Sequence, residues 1–273
     1  MKMNKSFEKV KRERNEEEVE FLKLKKVFEE LEEPLRELSL KLAEIGLPVK
    51  DNLRIDISAF SEDENFKKEV KNDIDFSFLK KEEFSKEKKE YRGLIGEVAE
   101  MLKTLYFNNH LFADNFYILR TSEFDDYTNH IDEVIIKPDP EKPKILAALD
   151  VTSSREAYLK KVRRFRKLYQ EEKKCFSLKY GFLAYKNQEK LEIEKSSFSR
   201  IPFVVLLLPG NIREIENWHN LLKEKKYEEL DKLFYGSLEL LLIHQLRNIS
   251  DDQKDDYNWF KEVVEEKLSQ IKV

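Results

Sequence analysis

A single cysteine, Cys175, stands among 273 residues, which excludes an internal disulfide and a cysteine-rich zinc cluster. The four histidines lack metal-ligand spacing, so any metal here rests mainly on carboxylates, whose hard oxygens select Mg²⁺ or Mn²⁺. Glycine (6) and proline (7) are scarce, leaving little room for long loops or low-complexity linkers. No apolar run approaches the roughly 18 to 20 residues of a membrane span; the longest is Phe203 to Leu208. The first twenty residues mix Lys, Arg and Glu without an apolar stretch, so no secretory signal is expected and the expected location is cytoplasmic. Neither sign of charge dominates. With 51 Lys and Arg against 55 Asp and Glu, the net charge of −4 argues against a protein that coats nucleic acid over its whole surface.

What is abundant is charge itself, 39% of all residues against roughly 25% in an average domain, and with so few turn formers this implies long solvated helices. Apolar residues at helical spacing predict one or two helices between Asn4 and Ile45, interrupted near Pro34, a mixed segment of short helices and loops to Lys80, and a helix from Lys81 to Asn108. Strands are predicted at Asn115 to Thr121, Asn129 to Lys137 and Lys144 to Val151. A helix from Ser154 to Glu172 follows, then strands at Leu178 to Tyr185 and Ile201 to Leu208, the last central and buried. Three helices close the chain. The expected fold class is α/β, a central mixed β-sheet with an α-β-β-β-α-β core flanked by N- and C-terminal helices. It divides into a helical extension (1–80), the core (81–210) and a C-terminal helical region packed on it (211–273).

Within this order, carboxylates recur where they could converge. Glu97 and Glu100 lie three residues apart on one helical face, beside small Gly96 and Ala99. Asp132 shares a strand face with Val134 and Ile136, a costly place for an acid unless it is paired or metal-bound. Asp150 and Thr152 share a face at the end of the next strand, and a hairpin would bring Asp132 and Asp150 together. Directly after them, Arg155 to Lys174 carries nine Lys or Arg against three Glu, with Arg155, Lys160, Lys161, Arg163, Arg164 and Lys167 as candidate phosphate contacts.

This arrangement resembles the PD-(D/E)XK nuclease superfamily, over roughly residues 81 to 210. The resemblance implies a helical acid at Glu100 or Glu97, a first strand acid at Asp132, a second at Asp150, and a metal-dependent nuclease using Mg²⁺ or Mn²⁺ on DNA or RNA. One departure stands out: Thr152 occupies the place of the family's lysine. Lys160 or Lys161, one turn or more into the next helix, could deliver an ammonium instead.

Blander roles compete with these. Either glutamate can be a solvated helix residue, Asp150 can precede a helix N-cap at Ser153 or Ser154, Asp125 and Asp126 read as turn residues, and His130 as structural. Two further functions follow: an inactive nuclease-like fold that binds nucleic acid or serves in an assembly, and a homodimer or protein partner engaged through the N-terminal helices.

Overall fold

The computed structural model describes residues 2–64, 66–87, 90–113, 116–170, 177–187, 190–199, 201–208, 210–245 and 254–271. Lys173, Lys174 and Cys175 lie outside these residues.

Apolar side chains at positions 24, 27, 31, 35 and 42 fall on one stripe of α1 (Lys2–Glu44) and are all buried. The expected interruption at Pro34 does not occur. Burial of Leu31 and Leu35 on either side holds both halves to one surface and offsets the roughly 3 kcal/mol that an internal proline costs. The helix ends at Glu44, and Gly46 turns the chain away with a φ of +106°, a conformation that favours glycine, where a Cβ would crowd the carbonyl of Leu191 at 3.0 Å. Exposed Val19 and Leu22 precede the buried part of the stripe.

After a short bridge between Val49 and Ile55 and a 3-10 turn at Ile57–Phe60, the chain enters α2 (Val70–Glu87). The 80/81 boundary therefore falls inside a helix. The predicted helix from Lys81 is instead the end of α2 followed by α3 (Glu90–Tyr106), because α2 is anchored at its start by buried Val70 and, just before it, buried Phe66.

The core then runs through β1 (Tyr117–Arg120), α4 (Glu123–Asn129), β2 (Glu133–Lys137), β3 (Lys144–Thr152) and α5 (Arg155–Gln170). An antiparallel hairpin, β4 (Ser177–Asn187) and β5 (Lys190–Ser199), intervenes before β6 (Phe203–Leu207). The main sheet has the order β1-β2-β3-β6, antiparallel through β3 and parallel between β3 and β6. This is the expected mixed sheet with its α-β-β-β-α-β order, enlarged by α4 and the hairpin.

Two strand expectations are corrected. Residues 123–129 are helical, so β2 begins only at Glu133 and Asp132 stands just before it. Ser122 caps that helix by accepting from the amide of Asp125 (3.1 Å), a signal the strand pattern masks. β6 is buried but lies at the sheet's edge, not its centre. Its outward backbone groups are met by side chains: the amide of Val205 donates to Gln245 Oε1 and its carbonyl accepts from Nε2 (both 2.8 Å), while Tyr257 Oη accepts from the amide of Phe203 (2.9 Å). A protected edge reads in sequence like a central strand.

The helices α6 (Ile212–Lys223), α7 (Tyr227–His244) and α8 (Lys254–Gln270) match the predicted C-terminal region. Buried side chains from Leu24 to Ile271 form one hydrophobic cluster. No helix among the described residues is long and apolar enough to cross a membrane.

Candidate functional site

Strand register brings the acids together. Arg120 at the end of β1 pairs with Glu133 at the start of β2, Glu133 with Leu149, and Asp150 with Val205 of β6, so these strand termini share one end of the sheet. Asp132 is pinned between neighbours: its amide donates to the carbonyl of Leu149 (2.9 Å) and its carbonyl accepts from the amide of Thr121 (3.0 Å). His130, in the left-handed region at φ 55°, ends α4 and turns the chain into this position, a structural role. Asp132 Oδ2 then accepts from the amide of Val151 (2.6 Å), which ties it to the residue after Asp150.

Asp150, buried at the end of β3, bonds the ammonium of Lys161, which also donates to the carbonyl of Val151 (2.9 Å). Helical phase explains why Lys161 and not Lys160 turns inward. Tyr158 and Val162 bury one side of α5, and at about 100° per residue position 161 falls beside them while 160, 163, 164 and 167 fall on the other side. Lys160, Arg163, Arg164 and Lys167 are exposed there, as is Arg155 near the helix start.

Of the two helical acids, Glu100 joins the cluster and Glu97 does not: Glu100 accepts from Arg120 (3.2 Å), whereas Glu97 is exposed. Thr152 Oγ1 accepts from the amide of Ser154 (3.4 Å), and Ser154 Oγ from that of Ala157 (3.3 Å), so Thr152 serves the head of α5. Gly210 closes that end of the sheet. A Cβ there would stand 2.4 Å from the carbonyl of Ser153.

Three members of the cluster, Asp126, Arg54 and Arg120, are not among the site residues expected from the sequence. Asp126, expected as a turn residue, accepts from Arg54 (2.9 Å), which also donates to the carbonyl of Thr121 (3.1 Å). Arg54 reaches the site because residues 53 to 55 pair with β1 at Arg120, with Leu53 held in the left-handed region at φ 62°. Arg120, 3% exposed at the end of a strand of otherwise apolar or aromatic residues, was the one readable signal. Asp125 is different: it accepts from the amides of Lys179 (2.7 Å) and Tyr180 (3.1 Å), from Ser122 and from Asn129, joining α4 to β4 as a structural anchor.

The electrostatics set Asp132 apart. Burial, then the negative charges of Glu100, Asp150 and Asp126, hold its carboxyl well above the usual carboxylate range, against the opposing pull of Lys161. Asp126 is also raised, by burial first and by Glu100, with Arg54 pulling it down. Beneath the cluster, Lys103 of α3 and Glu133 of β2, both fully buried, form an ion pair that Thr104 Oγ1 completes by donating to Glu133.

Among the described residues, no three His, Cys, Asp or Glu side chains form a group that could hold a metal ion. Glu100, Asp126 and Asp150 are each matched by a protein cation, Arg120, Arg54 and Lys161. Yet the ammonium of Lys161 is itself a cation held by a carboxylate and a backbone carbonyl, the hard-oxygen donors that Mg²⁺ takes. Comparison of the chain with protein-family models, with curated proteins and with solved structures gives no match in any of the three.

Proposed function

We propose that this chain is a divergent PD-(D/E)XK-like nuclease that hydrolyses phosphodiester bonds of DNA or RNA with a carboxylate-bound divalent cation. The observation that carries this reading is Lys161: an ammonium delivered from α5 to Asp150, beside Asp132, in the role left open by Thr152. Asp132, Asp150 and the carbonyl of Val151 would hold Mg²⁺ or Mn²⁺, with Glu100 next to them. When bound, that ion supplies Lewis acidity toward a phosphoryl oxygen and makes a water more acidic.

The chain's own groups account for the rest. Asp132 Oδ1 makes no hydrogen bond among the described residues, so it is open toward an attacking water, whose proton passes to the departing oxygen as the P–O ester bond breaks. Lys161 places positive charge where the phosphoryl oxygens gain negative charge. The exposed cations of α5, none in an ion pair among the described residues, supply contacts to flanking phosphates.

End-labelled single- and double-stranded DNA and RNA, incubated with pure protein and Mg²⁺ or Mn²⁺, test the proposal. Cleavage abolished by chelator and by Asp150→Asn supports it, and intact substrate with both ions refutes it. A second reading, a nuclease-like fold that binds nucleic acid without cutting it, is favoured by the one-to-one matching of acids with protein cations. It predicts salt-dependent binding with no product.

A further inference from the structure

The nucleic-acid reading leaves open whether the site takes a strand end or a strand interior. On either side of the acids the surface changes sign. Along the sheet order, β6 and α5 lie beyond β3 on one side, while β1 with Arg120 lies two strands away on the other, about 10 Å at the usual strand spacing. The α5 side presents Arg155, Lys160, Arg163, Arg164 and Lys167, all exposed. The β1 side opens into a cleft of about 420 Å³ between α1, residues 51–52 and α3, within the range of small-molecule sites.

The cleft has a mixed lining. Phe28, Leu35 and Met101 supply apolar surface, and Glu32, Asp51 and Glu97 supply carboxylates that make no hydrogen bond or ion pair among the described residues. A fourth acid, Glu33, is already taken by Arg36 (2.7 Å). Arg120 also lines the cleft, nearly wholly buried, and its Nε is a donor with no acceptor.

We infer that this cleft receives the terminal nucleoside of a strand, so that the enzyme acts at nucleic-acid ends and not within continuous strands; this rests on the nuclease reading above. A phosphodiester chain passing through the site in both directions would lay phosphates against three carboxylates, and like-charge contacts of that kind are strongly disfavoured. A terminal nucleoside carries no further phosphate. Its apolar base face matches Phe28, Leu35 and Met101, its hydroxyl and amino groups are donors for the carboxylates, and its ring acceptors suit the guanidinium of Arg120.

The test uses the full-length protein with Mn²⁺ and one sequence in three forms, each single- and double-stranded: linear with hydroxyl ends, linear with phosphorylated ends, and covalently closed circles. The expected result is cleavage of the hydroxyl-ended form, at least about tenfold slower cleavage of phosphorylated ends, and intact circles. In a Glu32→Gln, Asp51→Asn variant the ratio of hydroxyl-ended to phosphorylated-end rates is expected to fall from about tenfold to about one, whatever the change in the hydroxyl-ended rate itself; an unchanged ratio overturns the inference. Circles cut as fast as linear strands overturn this inference while leaving the nuclease reading in place; no cutting of any form overturns both.

Discussion

The ammonium of Lys161 bonds the carboxylate of Asp150 from eleven residues further along the chain, bridging the first helical turns of α5 to the end of β3. Its neighbour Lys160, about 100° further round the same helix, is exposed. Lys161→Met is expected to lower single-turnover cleavage about a hundredfold, the scale seen when one donor to a developing oxyanion is removed. Lys160→Met is expected to leave turnover within about threefold, weaken binding and reduce the slope of log affinity against log salt by about one. Equal losses from the two would contradict the assignment.

Asp132 gives the fold a pH dependence whose sign follows from its raised proton affinity. The carboxyl takes up its proton more readily in the folded chain than in the unfolded one. Its contribution to stability is therefore fully present at low pH, below the ordinary carboxylate range, and is lost as pH rises through the raised value. Asparagine mimics the neutral form at every pH and still offers an oxygen to the amide of Val151. Urea unfolding of Asp132→Asn and the parent chain, from about pH 4 to 8, should show the variant gaining on the parent as pH rises. Parallel curves would place Asp132 in a water-like environment.

Lys103 and Glu133 pair where neither side chain meets solvent. Removing one partner strands a buried charge, so Lys103→Met is expected to cost about 3 to 5 kcal/mol in urea unfolding. Lys103→Met combined with Glu133→Leu should recover most of that loss, because a matched apolar pair leaves no unpaired charge. A double variant as unstable as the single one would show that the pair is needed for more than mutual neutralisation.

Much of this arrangement could be read from residue order. The alternation of β3 put Asp150 and Thr152 at a strand end, and the hairpin placed Asp132 next to them. The choice between Lys160 and Lys161 stayed open in the sequence, which says only that one of the two turns inward; burial of Tyr158 and Val162 makes it Lys161. Other parts depended on contacts distant in sequence. Arg54 meets Asp126 across 72 positions, and nothing local to either residue announces it. β5 escaped because Leu191, Ile193 and Phe198 are its only apolar residues among dense polar ones, and they pack against the core only half-buried. Pro34 misled because burial of its neighbours outweighed local propensity.

In the proposed nuclease, Asp150 and Lys161 form one hydrolytic unit with a divalent cation. The most direct measurement is the single-turnover cleavage rate, at saturating Mg²⁺ or Mn²⁺, of the parent chain, Asp150→Asn, Lys161→Met and the double variant. Groups that act together are strongly non-additive, so the double variant is expected to be no slower than the slower single variant by more than about threefold. Multiplicative losses, or single variants that cut as fast as the parent, would contradict it.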